Sequence, residues 1–364
     1  MSDPRSIFAR LGREVTTEIG SLSLTGPTAG LAFRCALAGV LAVVVATAIN
    51  LENPYWAGIT AFGMLQQNVT ATLSRSFDRA LGTIAGAALG FVVAATVADH
   101  LIFSTICVVI ISFTLYAQTR VEHSYAVLLV GVTALLVMFG SISTPDAALS
   151  LAVYRGLEII VGVAAAGLVD VLLAPDRGDP KKGPPPPGVF SKPVDVDQLV
   201  VSISGGLAIA SVPTVWTGLE LPGLAQTPIT AFVIMISIQR DPTWTATTRA
   251  FGCVIGGVYG LLCLGFIDDA FLLWVGLLFL GLYLSAHILH RGGEASYVGH
   301  QSGVALIVAM VEGTAPSVDI MPAVDRLVGI FGGIVLIAVF HTLLSPIVRW
   351  CVLAVLPPKA GATT

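Results

Sequence analysis

Long apolar blocks separated by short polar stretches run along the whole chain. They fall near residues 29–49, 55–72, 79–98, 101–118, 124–142 and 148–174, and again near 199–217, 226–239, 248–267, 270–290, 296–312 and 323–345. Most approach the roughly 20 residues that a helix needs to cross a hydrocarbon core of about 30 Å. The pattern predicts an all-α polytopic membrane protein of about 12 transmembrane helices. The 226–239 block is short and needs flanking residues to span.

The blocks also repeat. "ITAF" at 59–62 returns at 229–232, and the same offset places Arg79, Gly82, Gly86 and Gly90 on Arg249, Gly252, Gly256 and Gly260. With small changes of offset, Glu122, Tyr125 and Gly131 meet Glu294, Tyr297 and Gly303, and Arg155, Gly162 and Pro175 meet Arg326, Gly333 and Pro346. Two homologous halves follow. Each half holds an even number of spans, so the repeats are parallel and related by an axis along the membrane normal. The expected organisation is an N-terminal segment at 1–27, a first six-helix repeat at 28–174, a proline-rich linker at 175–198, a second six-helix repeat at 199–346 and a tail at 347–364. The linker's proline runs favour a stiff extended connection.

Charge fixes a side for these elements. Only 11% of residues are charged, against 55% hydrophobic, far from the roughly 25% charged of soluble domains. With the N-terminus inside, all of the 18 basic residues except Arg34, Arg155 and Arg326 fall on the cytoplasmic side. The outer loops receive acidic residues instead, as the positive-inside rule requires. Both termini are therefore expected in the cytoplasm and the protein in the inner (plasma) membrane. The first 27 residues are too polar to form the apolar core of a secretory signal. The five cysteines are scattered through apolar blocks and read as packing residues.

Glycine at every fourth position in "GTIAGAALG" lines one side of a helix and lets another backbone approach; close packing is its simplest reading. Arg79 and Arg249 precede the two glycine stripes and are expected at the inner membrane edge, as snorkelling anchors or as guards of an inner mouth. The basic residues within spans carry more information, because an intramembrane cation is costly and usually faces a protein interior or a water-filled path. Arg155 and Arg326 form a symmetric pair, with Arg34 nearer the inside. Arg155 is either neutralised by Glu158, three residues on, or forms with Arg326 a positive constriction that attracts a carboxylate near the pseudo-axis, with Arg34 as a further substrate-binding candidate. Asp170 and His341 match each other by the same offset and, with Glu158, are candidates for carrying a coupled proton. Gln66, Gln67 and Gln239 are candidate polar lining.

His287, His290, Glu294 and His300 lie close in sequence, but their spacing matches no specific zinc pattern and the first half lacks the histidines, so no metal site is expected. No catalytic triad, phosphate loop or nucleotide motif is present, which argues against an enzyme and against a bound cofactor. The expected partners are a small organic anion and the lipid bilayer, without nucleic acid. The chain is expected to act as a pseudo-dimeric monomer, with room for an accessory efflux subunit.

The run "NPYWAGITAFGMLQQNVTATLSRSFDRALGTIAGAALG" resembles the membrane half of the fusaric acid resistance and aromatic acid exporter proteins. It is also similar to the opening spans of plant aluminium-activated malate transporters. The tryptophan, the arginine and its following glycine carry the resemblance, and "TPITAFVIMISIQRDPTWTATTRAFGCVIGGVYG" is a degenerate second copy. The resemblance implies an organic-anion exporter with aromatic carboxylates as typical substrates. Many such exporters insert a large soluble region between the halves, where this chain has only the proline-rich linker. A channel for small anions and a non-transporting membrane scaffold remain the alternatives.

Overall fold

The computed structural model describes residues 4–20, 23–142, 144–175, 193–221, 224, 226–237, 242–265, 270–311 and 321–355. Among them are 14 α-helices and one short 3-10 turn, with no strand. In chain order they are α1 (Pro4–Gly20), α2 (Pro27–Ala48), α3 (Pro54–Met64), α4 (Val69–Thr96), α5 (His100–Ala117), α6 (Ser124–Gly140) and α7 (Ala148–Leu173). The second half continues with α8 (Val196–Ala210), α9 (Val212–Gly218), α10 (Gln226–Ser237), α11 (Pro242–Leu264), α12 (Phe271–His290), α13 (Ser296–Met310) and α14 (Met321–Val355). Each predicted block falls on helix, and eight elements are long and apolar enough to cross a bilayer. The protein is an all-α, multi-pass membrane protein.

Local chemistry sets the helix ends. Pro27 and Pro54 open α2 and α3, where their missing N–H costs nothing. Asp99 caps α5 by accepting the N–H groups of Leu101 and Ile102, and Asp195 caps α8 through Gln198. After α2 the chain turns through Asn50 with φ 55°, and after α9 through Glu220 with φ 53°. In both turns the next N–H reaches back five residues, Leu51 to Ala46 and Leu221 to Trp216, so one left-handed stop is used twice at matching places in the repeat.

Three boundaries differ from the sequence reading. The block at 55–72 is not one helix: the 11-residue α3 ends at Met64 and the chain is extended at Leu65. The following helix starts at Val69, so Arg75 and Arg79 lie inside α4 rather than at its edge. The expected tail at 347–364 is helical as far as Val355, because Val348 and Val352 still pack on Val200 and Arg349 still pairs with Asp197 at 2.9 Å. The N-terminal segment also holds a helix, α1, whose Leu11 packs on Ala295 and Val298. Arg10 lies over Trp244 and hydrogen-bonds Glu294 at 2.6 Å, which holds that carboxyl below its ordinary range.

The chain forms two compact units that do not coincide with the sequence halves at 28–174 and 199–346. Unit 1 comprises Met1–Thr83, Val153–Lys182 and Asp241–Leu327; unit 2 comprises Ile84–Ala152, Gly183–Arg240 and Val328–Thr364. Inside unit 1, α2 packs against α12 and α3 against α13. Inside unit 2, the corresponding pairs are α8 with α5 and α10 with α6. Each repeat therefore supplies the partner helices of the other.

Matching contacts show why. In unit 1 a Cβ on Gly303 would run into the Phe62 ring; in unit 2 a Cβ on Gly131 would lie 3.1 Å from the Phe232 ring. Phe62 and Phe232 are the repeat's equivalent residues, and each is received by a glycine from the opposite half. The glycine stripes behave as packing surfaces. Gly252 and Gly256 of α11 face the carbonyls of Val298 and Ser302 on α13, and Gly86 and Gly90 of α4 face those of Val130 and Ala134 on α6.

Candidate functional site

α3 and α10 occupy equivalent places in the two repeats and are 11 and 12 residues long. At about 1.5 Å per residue, neither reaches much past half of a bilayer core. In secondary transporters built from repeats, paired short or interrupted helices at corresponding positions point to the binding site. In unit 1, buried polar and charged side chains gather around α3.

α3 begins beside the buried end of a carboxylate. Glu158 of α7 accepts the N–H of Asn53, the residue before the helix, at 3.0 Å through Oε1. Its other oxygen lies 3.8 Å from Nη1 of Arg155, close enough for an ion pair and too far for a hydrogen bond. The Arg155 guanidinium carbon instead lies over Trp56, 3.4 Å from the ring centroid. Arg155 is only 7% exposed, and its Nε and Nη1 donate to no hydrogen-bond acceptor among the described residues. Buried guanidinium N–H groups are rarely left this way in a structural ion pair.

One turn further along α3, Thr60 donates to the Trp56 carbonyl at 2.7 Å and accepts from Nη2 of Arg79 at 3.1 Å. Arg79 lies within Coulombic reach of Arg155. The expected edge anchor therefore turns onto the same short helix as the buried arginine. α7 holds this arrangement tightly: a Cβ on Gly162 would sit 2.5 Å from the Ala57 carbonyl and 2.6 Å from Thr60.

The second polar centre of unit 1 is Arg34 on α2 paired with Asp170 on α7, both buried. The Arg34 guanidinium donates to Oδ1, while Oδ2 has no hydrogen-bond partner among the described residues. Beside it, Sγ of Cys35 lies 3.2 Å from Nε2 of His290. Arg249, expected at the inner edge, is also buried and donates to the Tyr297 hydroxyl at 3.1 Å, with His300 stacked on the Tyr297 ring.

Other expected residues are placed differently. Gln66 closes the break after α3: its N–H donates to Thr72, and its side chain donates to the Leu65 carbonyl. Gln67 is exposed. Gln239 and the side chain of Arg326 lie outside the described residues. His287, His290, Glu294 and His300 reach separate partners: Ser23, Cys35, Arg10 and the Tyr297 ring. Among the described residues no group of three or more metal-ligating side chains converges.

Unit 2 carries equivalent positions with different chemistry. Ser204 and His341 stand where unit 1 has Arg34 and Asp170, and they hydrogen-bond at 3.0 Å. Gln226 stands in the place of Trp56, and Gly329 in that of Glu158. A cavity of about 690 Å³ in unit 2 is lined by residues including His100, Ser141 and Thr217, with no lysine or arginine among the described residues. Unit 1 has a cleft of about 700 Å³ that reaches Arg34. The two units thus share packing but not charge.

Sequence reasoning missed the Arg34–Asp170 pair and the role of the Trp56 ring. A signal for the pair was present: the register that matches Asp170 with His341 also places Arg34 on Ser204, two polar pairs at equivalent sites. Nothing in sequence periodicity brings Trp56 under Arg155, because the contact depends on how closely Gly162 lets α3 approach α7.

Comparison with known proteins bears on this region. The p-hydroxybenzoic acid efflux pump subunit AaeB of Escherichia coli O1:K1 is 30% identical over 169 residues, and the same subunit from Shigella boydii serotype 18 matches equally. The match covers 43% of this chain and 26% of each relative, so the chain matches about a quarter of their length. No solved structure matches. The family model of the fusaric acid resistance protein family matches residues 28–181, so the resemblance to that family holds over the stretch that carries Arg34, Trp56, Arg79, Arg155, Glu158 and Asp170.

Proposed function

We propose that this protein is an efflux transporter of the inner (plasma) membrane that exports organic anions, with aromatic carboxylates as its substrate class. The observation that carries the reading is Arg155, a buried cation in a membrane helix whose Nε and Nη1 have no acceptor among the described residues and whose planar group is held on Trp56. A carboxylate offers the acceptor oxygens that this guanidinium lacks. Arg79 of α4 brings a second positive charge against the same short helix through Thr60 and favours an anion over a neutral ligand. Glu158 holds α3 and Arg155 in register, and it is a candidate to exchange a proton as the anion arrives. On this reading both termini are cytoplasmic, and the two six-helix repeats together form one transporting monomer.

The name of the matched relatives, a p-hydroxybenzoic acid efflux pump subunit, supports the aromatic substrate class and leaves room for a partner subunit. The test is anion flux through the purified protein in liposomes, scanning aromatic and aliphatic carboxylates at set pH and voltage. Aromatic carboxylates should move fastest, and Arg155→Gln should cut flux at least about tenfold, since a charged hydrogen bond contributes about 1.5–3 kcal/mol. Arg155→Gln combined with Glu158→Gln removes the stranded carboxylate and checks that folding survives. Normal flux in a folded Arg155→Gln protein would overturn the assignment, and single-channel currents would replace the transporter by a channel.

A further inference from the structure

The cleft of unit 1 combines an aromatic wall with a charged floor. Phe33 of α2 meets Phe279 of α12 edge to face at 5.4 Å, and Phe279 stacks on Tyr283 at 6.5 Å. These three rings line a space of about 700 Å³ with Arg34 among its lining residues. The volume is that of a small-molecule pocket, about 300–1,000 Å³. The rim is apolar and exposed at Leu24, Phe33 and Leu280. Behind Arg34 lies Asp170, fully buried, with one oxygen on Arg34 and the other unpartnered among the described residues.

We propose that this cleft binds an aromatic monocarboxylate through Arg34, and that Asp170 releases Arg34 by taking up one proton. The inference deepens the transport reading and rests on it for the substrate class. Without ligand, Arg34 and Asp170 cancel each other's charge. An incoming carboxylate that pairs with Arg34 would leave two negative charges facing one positive charge at a buried position. Such an uncompensated buried charge is strongly disfavoured. If Asp170 accepts a proton from water as the anion arrives, the site stays neutral: one guanidinium, one bound carboxylate and one carboxylic acid. The unpartnered Oδ2 is the atom available for that proton. The aromatic wall selects the ring, since apolar and quadrupolar contacts reward a flat aromatic body over an aliphatic acid of the same charge.

Other charged and titratable groups surround the pair. Cys35 neighbours Arg34 on α2, His290 of α12 touches Cys35, and Arg75 of α4 adds positive charge nearby. His290 is the competing proton acceptor, so the test must separate it from Asp170. Unit 2 provides an internal contrast, because the equivalent pair, Ser204 and His341, offers no guanidinium to a carboxylate.

The experiment uses the full-length purified protein in detergent and benzoate as the probe. Affinity is measured by calorimetry, and proton uptake by a pH indicator in weakly buffered solution. Wild type should take up about one proton per benzoate bound near neutral pH, with affinity falling up to about tenfold per pH unit as pH rises. Arg34→Gln should weaken binding at least tenfold. Asp170→Asn should bind benzoate without proton uptake, His290→Gln should keep the uptake, and Phe279→Ala should narrow the preference for benzoate over acetate. Unchanged binding in a folded Arg34→Gln protein, or proton uptake that survives Asp170→Asn and disappears in His290→Gln, would overturn the proposal. Flux of carboxylates that is intact in liposomes while Arg34 variants bind normally removes this site but keeps the transport reading. Proton-linked binding without any flux removes the transport reading but keeps the site.

Discussion

Arg155 is held by a ring rather than by a hydrogen-bonded carboxylate, and this sets how it answers substitution. Stacking on Trp56 orients the guanidinium and partly dehydrates it, while its N–H edge stays open to an acceptor. A desolvated cation–π contact contributes about 2 kcal/mol, or roughly 30-fold in an equilibrium constant. Trp56→Leu keeps an apolar side chain but removes the quadrupole, so anion affinity measured on purified protein should fall by about 10- to 30-fold. Trp56→Phe should retain part of it. A Trp56→Leu protein with wild-type affinity would mean that the ring does not position the arginine. The sequence marks Arg155 as an outlier by cost alone, and Glu158 as its neighbour by helical spacing; both are in place. The platform and the Arg34–Asp170 pair were hidden because they join residues about 100 or more positions apart.

Helix contacts decide whether these side chains meet at all. Gly162 and Gly333 occupy equivalent positions on α7 and α14, and each lies against the short helix of its own unit. A Cβ would reach within 2.5 Å of the Ala57 carbonyl at Gly162 and within 2.8 Å of the Thr227 carbonyl at Gly333. Alanine at either position forces the short helix outward, and overpacking of this type costs about 1–3 kcal/mol. Both variants should therefore lose thermal stability by similar amounts. Only Gly162→Ala should also lose anion affinity, because only that helix carries Trp56 and Thr60 under Arg155 and Arg79. Equal affinities in the two variants would separate α3 from the site. Apolar periodicity makes nearly every helix legible, but it overstates α3, because "Leu65-Gln66-Gln67-Asn68" is too short a polar interruption to break a hydropathy window. It also understates α14, whose internal Pro346 reads as a stop although the helix runs through it.

At the scale of the whole chain, the repeat is legible in sequence while its packing is not. Matching registers say that two halves share one design, and they are equally compatible with each half folding on itself. The contacts exclude that arrangement within the units described. α2 and α3 are covered by α12 and α13, and α8 and α10 by α5 and α6, so each half exposes surfaces that only the other half fills. The bulky, fully buried Phe62 and Phe232 sit against glycines of the opposite half. A chain cut within the 176–192 stretch therefore gives two fragments that each lack the partners of their own helices. Expressed alone, each fragment should aggregate or be degraded in the membrane. Expressed together, they should co-purify as one complex and recover benzoate binding, because the contacts that join them are those of the intact chain. Fragments that are separately stable and monodisperse by size-exclusion chromatography, without affinity for each other, would show that each repeat folds on itself and would sink this account of the molecule.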